Sequence, residues 1–352
     1  MFLLENYSVA VLFCVITMIC WGSWANTQKL VGKNWRYELF YWDYVFGVVL
    51  ASLVFALTMG SSGEYGRSFC ADLQQASASS LLFAFLGGVV FNVANILLVA
   101  AIAIAGMAVA FPVGIGLALV LGVLLNYVAD PAKSGNPTIL FLGVALVTVA
   151  IILNALAYKK LPGQNETTRF KGLFLSILCG VLMSLFYYLV AVSIGKVEMG
   201  ANGDLVGLTL KNLKAGGAIQ AGKMTPYSAN FIFAVGILVS NFVVMPILMK
   251  KPFTGDPVPM RDYFKGGLPI HLCGLLGGVI WAVGMTFNVI ASGVASPAVA
   301  YGLGQGATLM SAIWGVFIWR EFKSAPTGTG NLLTAMFAFF IAGLALIIWT
   351  RM

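Results

Sequence analysis

The sequence has few charged side chains and a single histidine. Of its 352 residues, 9% are charged and 60% are hydrophobic, and the mean hydropathy is +0.94. A soluble domain does not carry so large an apolar fraction, so the composition is typical of a protein that crosses a membrane many times. The lone histidine, His271, excludes the multi-histidine metal sites of membrane hydroxylases and desaturases. We expect no metal and no other cofactor, and acids and bases are too scarce in the apolar runs for an enzyme.

Cysteines are also few, and their positions predict no disulfide framework. Four of the five lie inside apolar runs, and Cys70 stands alone in a polar loop. The first apolar run follows no basic segment and precedes no small-residue cleavage site. We therefore expect this run to be retained as a membrane helix.

Ten apolar runs of about 20 residues, the length that spans a bilayer, follow one another along the chain. A helix satisfies its own backbone hydrogen bonds in lipid, whereas the alternating strands of an outer-membrane barrel are absent from the sequence. The pattern predicts an all-α integral membrane protein with ten transmembrane helices, near residues 8–28, 39–60, 81–101, 107–128, 138–158, 172–193, 228–249, 267–290, 296–319 and 330–350.

The positive charges are distributed unevenly between the two sides of these helices. Thirteen of the 20 Lys and Arg lie in the loops after runs 1, 5, 7 and 9, and the other seven lie on the opposite side. Because short Lys- and Arg-rich loops stay in the cytoplasm, both termini are predicted to lie outside a plasma or bacterial inner membrane. The net charge of +8 then reflects cytoplasmic loops rather than a nucleic-acid partner. The sequon Asn165-Glu166-Thr167 falls in a loop predicted inside, so we expect it to carry no glycan.

An internal repeat relates the two halves of the chain. A shift of 190 residues lays residues 86–119 on 276–309 without a gap and pairs four glycines: Gly87 with Gly277, Gly88 with Gly278, Gly114 with Gly304, and Gly116 with Gly306. Since runs 3 and 4 repeat as runs 8 and 9, the unit has five helices, and an odd number inverts the second copy. We predict a 5+5 inverted repeat: a first repeat at 1–160, a short cytoplasmic linker at 161–171 and a second repeat at 172–352.

Inverted repeats are typical of secondary transporters, because two half-bundles of opposite orientation can open one site to either side in turn. Runs 4 and 9 are interrupted at matched places, the first by Pro112 and Gly114 and the second by Pro297 and Gly304. Matched weak helices of this kind indicate the binding site, although small residues also serve plain helix packing.

Asp43 is the one charged residue clearly inside a predicted helix. An ionised group is costly in a bilayer, which makes Asp43 a candidate for the coupling-ion site. The alternative is an interfacial acid paired with Lys29, Lys33 or Arg36. His271 begins run 8 near the predicted cytoplasmic surface, where we expect it to be solvated.

Uncharged polar and aromatic side chains recur in runs 1, 3, 8 and 9. Amides both donate and accept hydrogen bonds, and flat rings stack on other flat groups, which suits a neutral polar ligand near the midplane. For any one amide, a hydrogen bond between helices is the competing interpretation. The predicted substrate contacts are Trp21, Trp24, Asn92, Asn95, Trp281, Asn288, Tyr301 and Gln305.

Several local strings resemble a known family. Cys20-Trp21-Gly22-Ser23-Trp24, Tyr41-Trp42-Asp43-Tyr44, the Gly87-Gly88 pair followed by Asn95, and Leu125-Asn126-Tyr127 are similar to segments of the ureide permeases and the neighbouring glucose/ribose porters, within the drug/metabolite transporter superfamily. The resemblance implies proton-coupled uptake of a small neutral metabolite, such as an allantoin-like ureide, a nucleobase or a sugar.

The sequence thus predicts a secondary transporter that imports a small neutral polar metabolite by proton symport, with Na⁺ as the alternative coupling ion. Its expected partners are the substrate, the ion and the lipid bilayer, and a homodimer is left open. An exporter of amphipathic metabolites or drugs is the nearest alternative. A channel or facilitative pore is the alternative from another class, although no charged ring or carbonyl filter is recognisable.

Overall fold

A computed structural model describes residues 1–32, 35–63, 66–105, 110–129, 131, 134–161, 169–195, 220–253 and 255–351. The described part is helical, with one isolated β-bridge between Ile194 and Met224. The sequon at Asn165, the cation Lys33, most of the predicted linker and the larger part of the loop between runs 6 and 7 lie outside the described residues.

Eight helices in the described part are long and apolar enough to cross a membrane. Each coincides with one of the ten predicted runs, and a short helix, Asn26–Leu30, extends the first. In chain order the helices are α1 (Tyr7–Ser23), α2 (Tyr37–Leu57), α3 (Ala78–Ala105), α4 (Gly116–Ala129), α5 (Pro137–Lys159), α6 (Arg169–Ser193), α7 (Pro226–Lys250), α8 (Leu268–Ala295), α9 (Pro297–Gly304), α10 (Ala307–Ile313) and α11 (Thr329–Trp349).

The other two predicted runs are not continuous α-helices. The described part of run 4 contains a π-helical turn, Phe111–Ile115, before α4. Run 9 is divided into α9 and α10 and ends in a second π-helical turn, Trp314–Ile318. Proline lacks the amide hydrogen of a helical bond, and glycine gives the backbone extra freedom, so segments rich in both are readily interrupted.

The helix pairs in contact occur in matched sets. α3 packs against α6 as α8 packs against α1, and α7 packs against α3 as α2 packs against α8. α4 contacts α6 as α9 and α10 contact α1, while α5 packs against α11. Each contact between helices of the two halves therefore has an equivalent contact in which the halves have exchanged roles. The α5–α11 contact is its own equivalent.

Glycines allow the closest of these crossings. A Cβ on Gly278 would collide with the carbonyl oxygen of Tyr44, and a Cβ on its repeat counterpart Gly88 would collide with the carbonyl oxygen of Phe233. Small residues let helix backbones approach closely in membranes, where van der Waals packing drives association. Gly88 and Gly278 thus serve the α3–α7 and α8–α2 interfaces, whereas Gly87 faces α6 and Gly277 faces Thr27.

The bundle has two chemically different ends. We call the end that carries Lys29, Arg36 and Glu321 the basic end, because the Lys- and Arg-rich loops after runs 1, 5, 7 and 9 lie there. At the opposite end, the fully buried carboxylate of Asp72 lies 3.1 Å from the Arg67 guanidinium and accepts the Thr225 amide hydrogen at 2.7 Å. These bonds tie the segment after α2 to the segment before α7.

Candidate functional site

A central cavity of about 860 Å³ runs from the middle of the bundle to the basic end. Its wall takes residues from α1, the short helix Asn26–Leu30, α3, α6, α8 and the interrupted segments of runs 4 and 9. The beginning of α2 and the end of α5 complete the wall near the basic end. The interrupted segments therefore border the cavity.

Five of the eight predicted contact residues line this cavity: Trp21, Trp24, Asn95, Trp281 and Gln305. The break between α9 and α10 falls at Gln305, whose side-chain amide forms no hydrogen bond with the described residues. The Asn95 amide nitrogen donates to the Tyr41 hydroxyl at 3.1 Å, while its carbonyl oxygen has no partner among those residues. Both amides can therefore offer hydrogen bonds to a ligand.

Aromatic rings form the deep part of the wall. Trp21 and Trp281 are stacked with their ring centres 5.9 Å apart and an interplanar angle of 12°. The ring centre of Phe91 lies 4.5 Å from that of Trp281 and 5.1 Å from that of Phe186. Phe91 thus completes a continuous apolar surface. Phe91 and Trp281 are counterparts in the 190-residue repeat, so the two halves of the chain meet here. A flat ligand can stack on this surface.

The other three predicted contact residues lie outside the cavity wall and join helices instead. Asn92 accepts from the Tyr41 hydroxyl at 2.9 Å and donates to the Ser240 hydroxyl at 3.0 Å. Asn288 donates to the carbonyl oxygen of Ala300 at 2.9 Å. The Tyr301 hydroxyl lies within hydrogen-bond distance of two backbone carbonyls, 3.2 Å from that of Ala118 and 3.1 Å from that of Met183. All three side chains are buried.

The wall also contains residues that the sequence analysis did not select. Asn154, the one amide in α5, lines the cavity, and its buried Oδ1 has no hydrogen-bond partner among the described residues. An asparagine in an otherwise apolar helix was a signal that could have identified it. Tyr158, one turn further along α5, also lines the cavity.

Charge in the described wall is confined to the basic end and is paired. The Lys29 ammonium lies 3.0 Å from the Glu321 carboxylate, which also accepts from the Tyr158 hydroxyl at 2.8 Å. The Lys29 and Glu321 side chains are 47% and 30% exposed, so this pair lies at the mouth. The deeper described wall is uncharged.

Asp43 lies outside the cavity wall, buried between α2 and α8. Its carboxylate accepts from the Tyr263 hydroxyl and lies 2.9 Å from Nδ1 of His271. The expected alternative partners Lys29 and Arg36 bind other carboxylates, those of Glu321 and Glu38. We had expected His271 to be solvated, and this expectation was wrong, because its imidazole makes a polar contact with Asp43.

Comparison with known proteins supports a transport class. Ureide permease 1 of Arabidopsis thaliana is 23% identical over 99% of this chain and 98% of its own. Ureide permease 5 from the same plant is 24% identical over 98% and 95%. The L-rhamnose-proton symporter of Cronobacter sakazakii is 30% identical over 42% of this chain and 45% of its own. One solved structure, described only as a protein, superposes with a TM-score of 0.57 over 96% of both chains at 16% identity, which concerns the fold alone.

The chain is therefore a multi-pass membrane protein of the transporter class, and its relatives are permeases and symporters rather than enzymes. Within that class, residues 40–167 match the family model for ureide permeases. The resemblance to ureide permeases that the sequence strings predict is thereby confirmed.

Proposed function

We propose that this protein imports a small neutral polar metabolite, a ureide, nucleobase or sugar, by proton symport with alternating access. The central cavity carries the proposal. Its volume of about 860 Å³ lies within the range of roughly 300–1,000 Å³ typical of small-molecule sites. Stacked rings and a few amides with hydrogen-bonding atoms left without a partner among the described residues are the wall expected for a flat or hydroxyl-bearing ligand.

The charge pattern of the wall argues for a neutral ligand. A buried charge needs a partner, and the charged residues of the described wall, Lys29 and Glu321, pair with each other at the mouth. A carboxylate on the ligand would meet no unpaired cation beside Trp281 or Gln305. The deep wall can therefore satisfy the hydrogen bonds of a neutral ligand but cannot pair with a charged group, which supports a neutral substrate.

The proposed architecture is ten transmembrane segments in a 5+5 inverted repeat, with the boundaries given by the sequence. The matched helix pairs support this, as do the equivalent crossings at Gly88 and Gly278. The contact between the counterparts Phe91 and Trp281 is expected where a pseudo-two-fold axis passes through the cavity. A site at the interface between inverted repeats is the usual arrangement in secondary transporters.

The proposed orientation puts the basic end in the cytoplasm and both termini outside. The distribution of Lys and Arg supports it. The cavity then opens inward, and the bonds of Asp72 close the outer end. In this assignment the structure represents the step at which substrate is released into the cell. Export would use the same cavity with the opposite net flux.

The relatives supply the candidate substrates and the coupling ion. Their names specify ureides in one group and L-rhamnose with a proton in the other. We extend to this chain a small-metabolite substrate, which both groups of names give, and the coupled H⁺, which the rhamnose symporters' name gives.

A ligand-dependent thermal shift on the purified protein tests the substrate class. Three neutral compounds are each compared with an anionic analogue: allantoin with allantoate, uracil with orotate, and L-rhamnose with L-rhamnonate. We expect one neutral compound to raise the melting temperature, since a ligand at 100 times its Kd stabilises by about 2.7 kcal/mol. Its anionic analogue should have no effect. Stabilisation by the anions alone, or by none of the six, would contradict the proposed substrate class.

A further inference from the structure

Asp43 is held between two segments that meet at the basic end. Tyr263 lies in the 3₁₀-helix Met260–Lys265, which connects α7 to α8, and His271 lies in the first turn of α8. Both bind the Asp43 carboxylate, one at each oxygen. Gly274 makes room for this arrangement, because a Cβ there would collide with the Cβ of Asp43.

The partner of Asp43 distinguishes it from four other ion-paired carboxylates in the described part. Glu38, Asp72, Asp262 and Glu321 each pair with a lysine or an arginine, whose charge is permanent at physiological pH. The partner of Asp43 is an imidazole, the side chain that gains and loses a proton near neutrality. The Asp43–His271 pair can therefore change its proton content without leaving a permanent charge uncompensated.

The titratable groups around the pair come from two segments, the start of α2 and the 3₁₀-helix Met260–Lys265. Tyr263 keeps its proton, because burial and the bonded Asp43 carboxylate raise its pKa, so it remains a hydrogen-bond donor. The neighbouring charges form two salt bridges. Arg36 pairs with Glu38 on one side, and Lys265 pairs with Asp262 on the other.

The pair is connected both to solvent and to the cavity. The side chain of His271 is 20% exposed whereas that of Asp43 is 3% exposed, so the imidazole is the more accessible member of the pair. The His271 ring stands edge-on to the Trp35 ring at 5.7 Å, and Trp35 lines the cavity near its mouth. A change in charge on His271 therefore changes its interaction with Trp35, a residue of the cavity wall.

We propose that Asp43 and His271 together form the proton-binding site of the transport cycle, with Tyr263 as a positioning residue. The inference rests on the proposed proton symport. The proton binds at Nε2 of His271, the nitrogen that does not contact Asp43, or at the carboxylate, and it reaches and leaves the pair through the imidazole at the basic end. Proton binding alters the contact of His271 with Trp35 and so the mouth of the cavity.

Uptake into proteoliposomes tests the assignment, with radiolabelled allantoin, uracil and L-rhamnose as probes. A gradient of one pH unit can sustain about tenfold accumulation when one proton is coupled. We expect Asp43→Asn and His271→Gln to equilibrate the transported probe without accumulating it, while exchange across the membrane without a gradient continues. Glu38→Gln is the matched control, since it removes an acid from the same helix but should leave accumulation intact.

Two outcomes of this assay separate the inference from the proposed function. If the wild-type protein accumulates none of the probes, proton symport of these solutes is wrong. If the wild-type protein accumulates a probe and Asp43→Asn does so equally, the proton site lies elsewhere and the inference is overturned.

Tryptophan fluorescence tests the pair without a substrate. Protonated histidine quenches a neighbouring indole, so the wild-type emission should fall on acidification, and Trp35→Phe and His271→Gln should remove that component. Asp43→Asn should alter this component, because the carboxylate in contact with the imidazole is gone. An identical component in Asp43→Asn would show that the two groups do not share a proton.

Discussion

At the scale of single residues, the cavity separates side chains that look equivalent in the sequence. Asn92 and Asn95 are three residues apart on one helix and share a face. The structure directs Asn95 to the cavity and engages Asn92 with Tyr41 and Ser240. Spacing identifies the face, but the partner of each amide lies on another helix that local sequence does not specify.

Gln305 provides the sharpest test of a cavity contact. Its side chain has no hydrogen bond to lose among the described residues, so Gln305→Met should leave the melting temperature nearly unchanged. Loss of one hydrogen bond to the ligand, about 0.5–1.5 kcal/mol, should raise the Kd roughly 2- to 10-fold. Titration of the stabilising ligand, followed by thermal shift, measures both quantities.

Asn92→Leu is the matched comparison. It breaks the buried bonds to Tyr41 and Ser240, so we expect the free energy of unfolding to fall by about 1–3 kcal/mol while the Kd of the folded protein stays the same. A Kd change in Asn92→Leu larger than in Gln305→Met would reverse the assignment of these two amides.

At the scale of helices, glycine and proline predicted where the chain departs from regular helix. Pro112 and Gly114 lie in the π-helical turn of run 4, and the matching part of run 9 ends α9 at Gly304. The glycine pairs of α3 and α8 can be recognised in the sequence as a repeat. Only the packed structure shows which backbone carbonyl each glycine approaches. The pairing of His271 with Asp43, 228 residues away, was likewise beyond local sequence.

A substitution in α8 tests the close crossing. Gly278→Ala puts a methyl group against the Tyr44 carbonyl, and overpacking of this kind costs about 1–3 kcal/mol. We expect a lower melting temperature and a fall in the folded fraction. Gly293→Ala is the control within the same helix, since a Cβ there meets nothing within 4 Å and alanine favours a helix by about 1 kcal/mol. Equal losses in the two variants would argue against the crossing.

At the scale of the whole molecule, charge asymmetry predicts the orientation, and one natural cysteine reports on it. Cys70 is exposed near the end of the bundle opposite the basic end, whereas Cys14 and Cys179 are buried. A membrane-impermeant maleimide should label Cys70 on intact cells, and Cys70→Ser should abolish that signal. Labelling that requires permeabilised cells would invert the proposed topology.

The all-helical, membrane-spanning class was the most predictable feature at this scale, because long apolar runs dominate the sequence. Eight of those runs are long helices, and the other two carry the breaks that border the cavity. The depth and volume of the cavity depend on how the rings of Trp21, Phe91 and Trp281 pack, which pattern alone does not determine.

Concentrative uptake is the most direct test of the central claim that this cavity belongs to a carrier. With an inward proton gradient, wild-type proteoliposomes should take up one of allantoin, uracil and L-rhamnose with saturable kinetics and accumulate it above the bath concentration. A proton-conducting uncoupler should collapse that accumulation. Uptake that rises linearly with concentration and never exceeds the bath would instead indicate a pore and contradict the account.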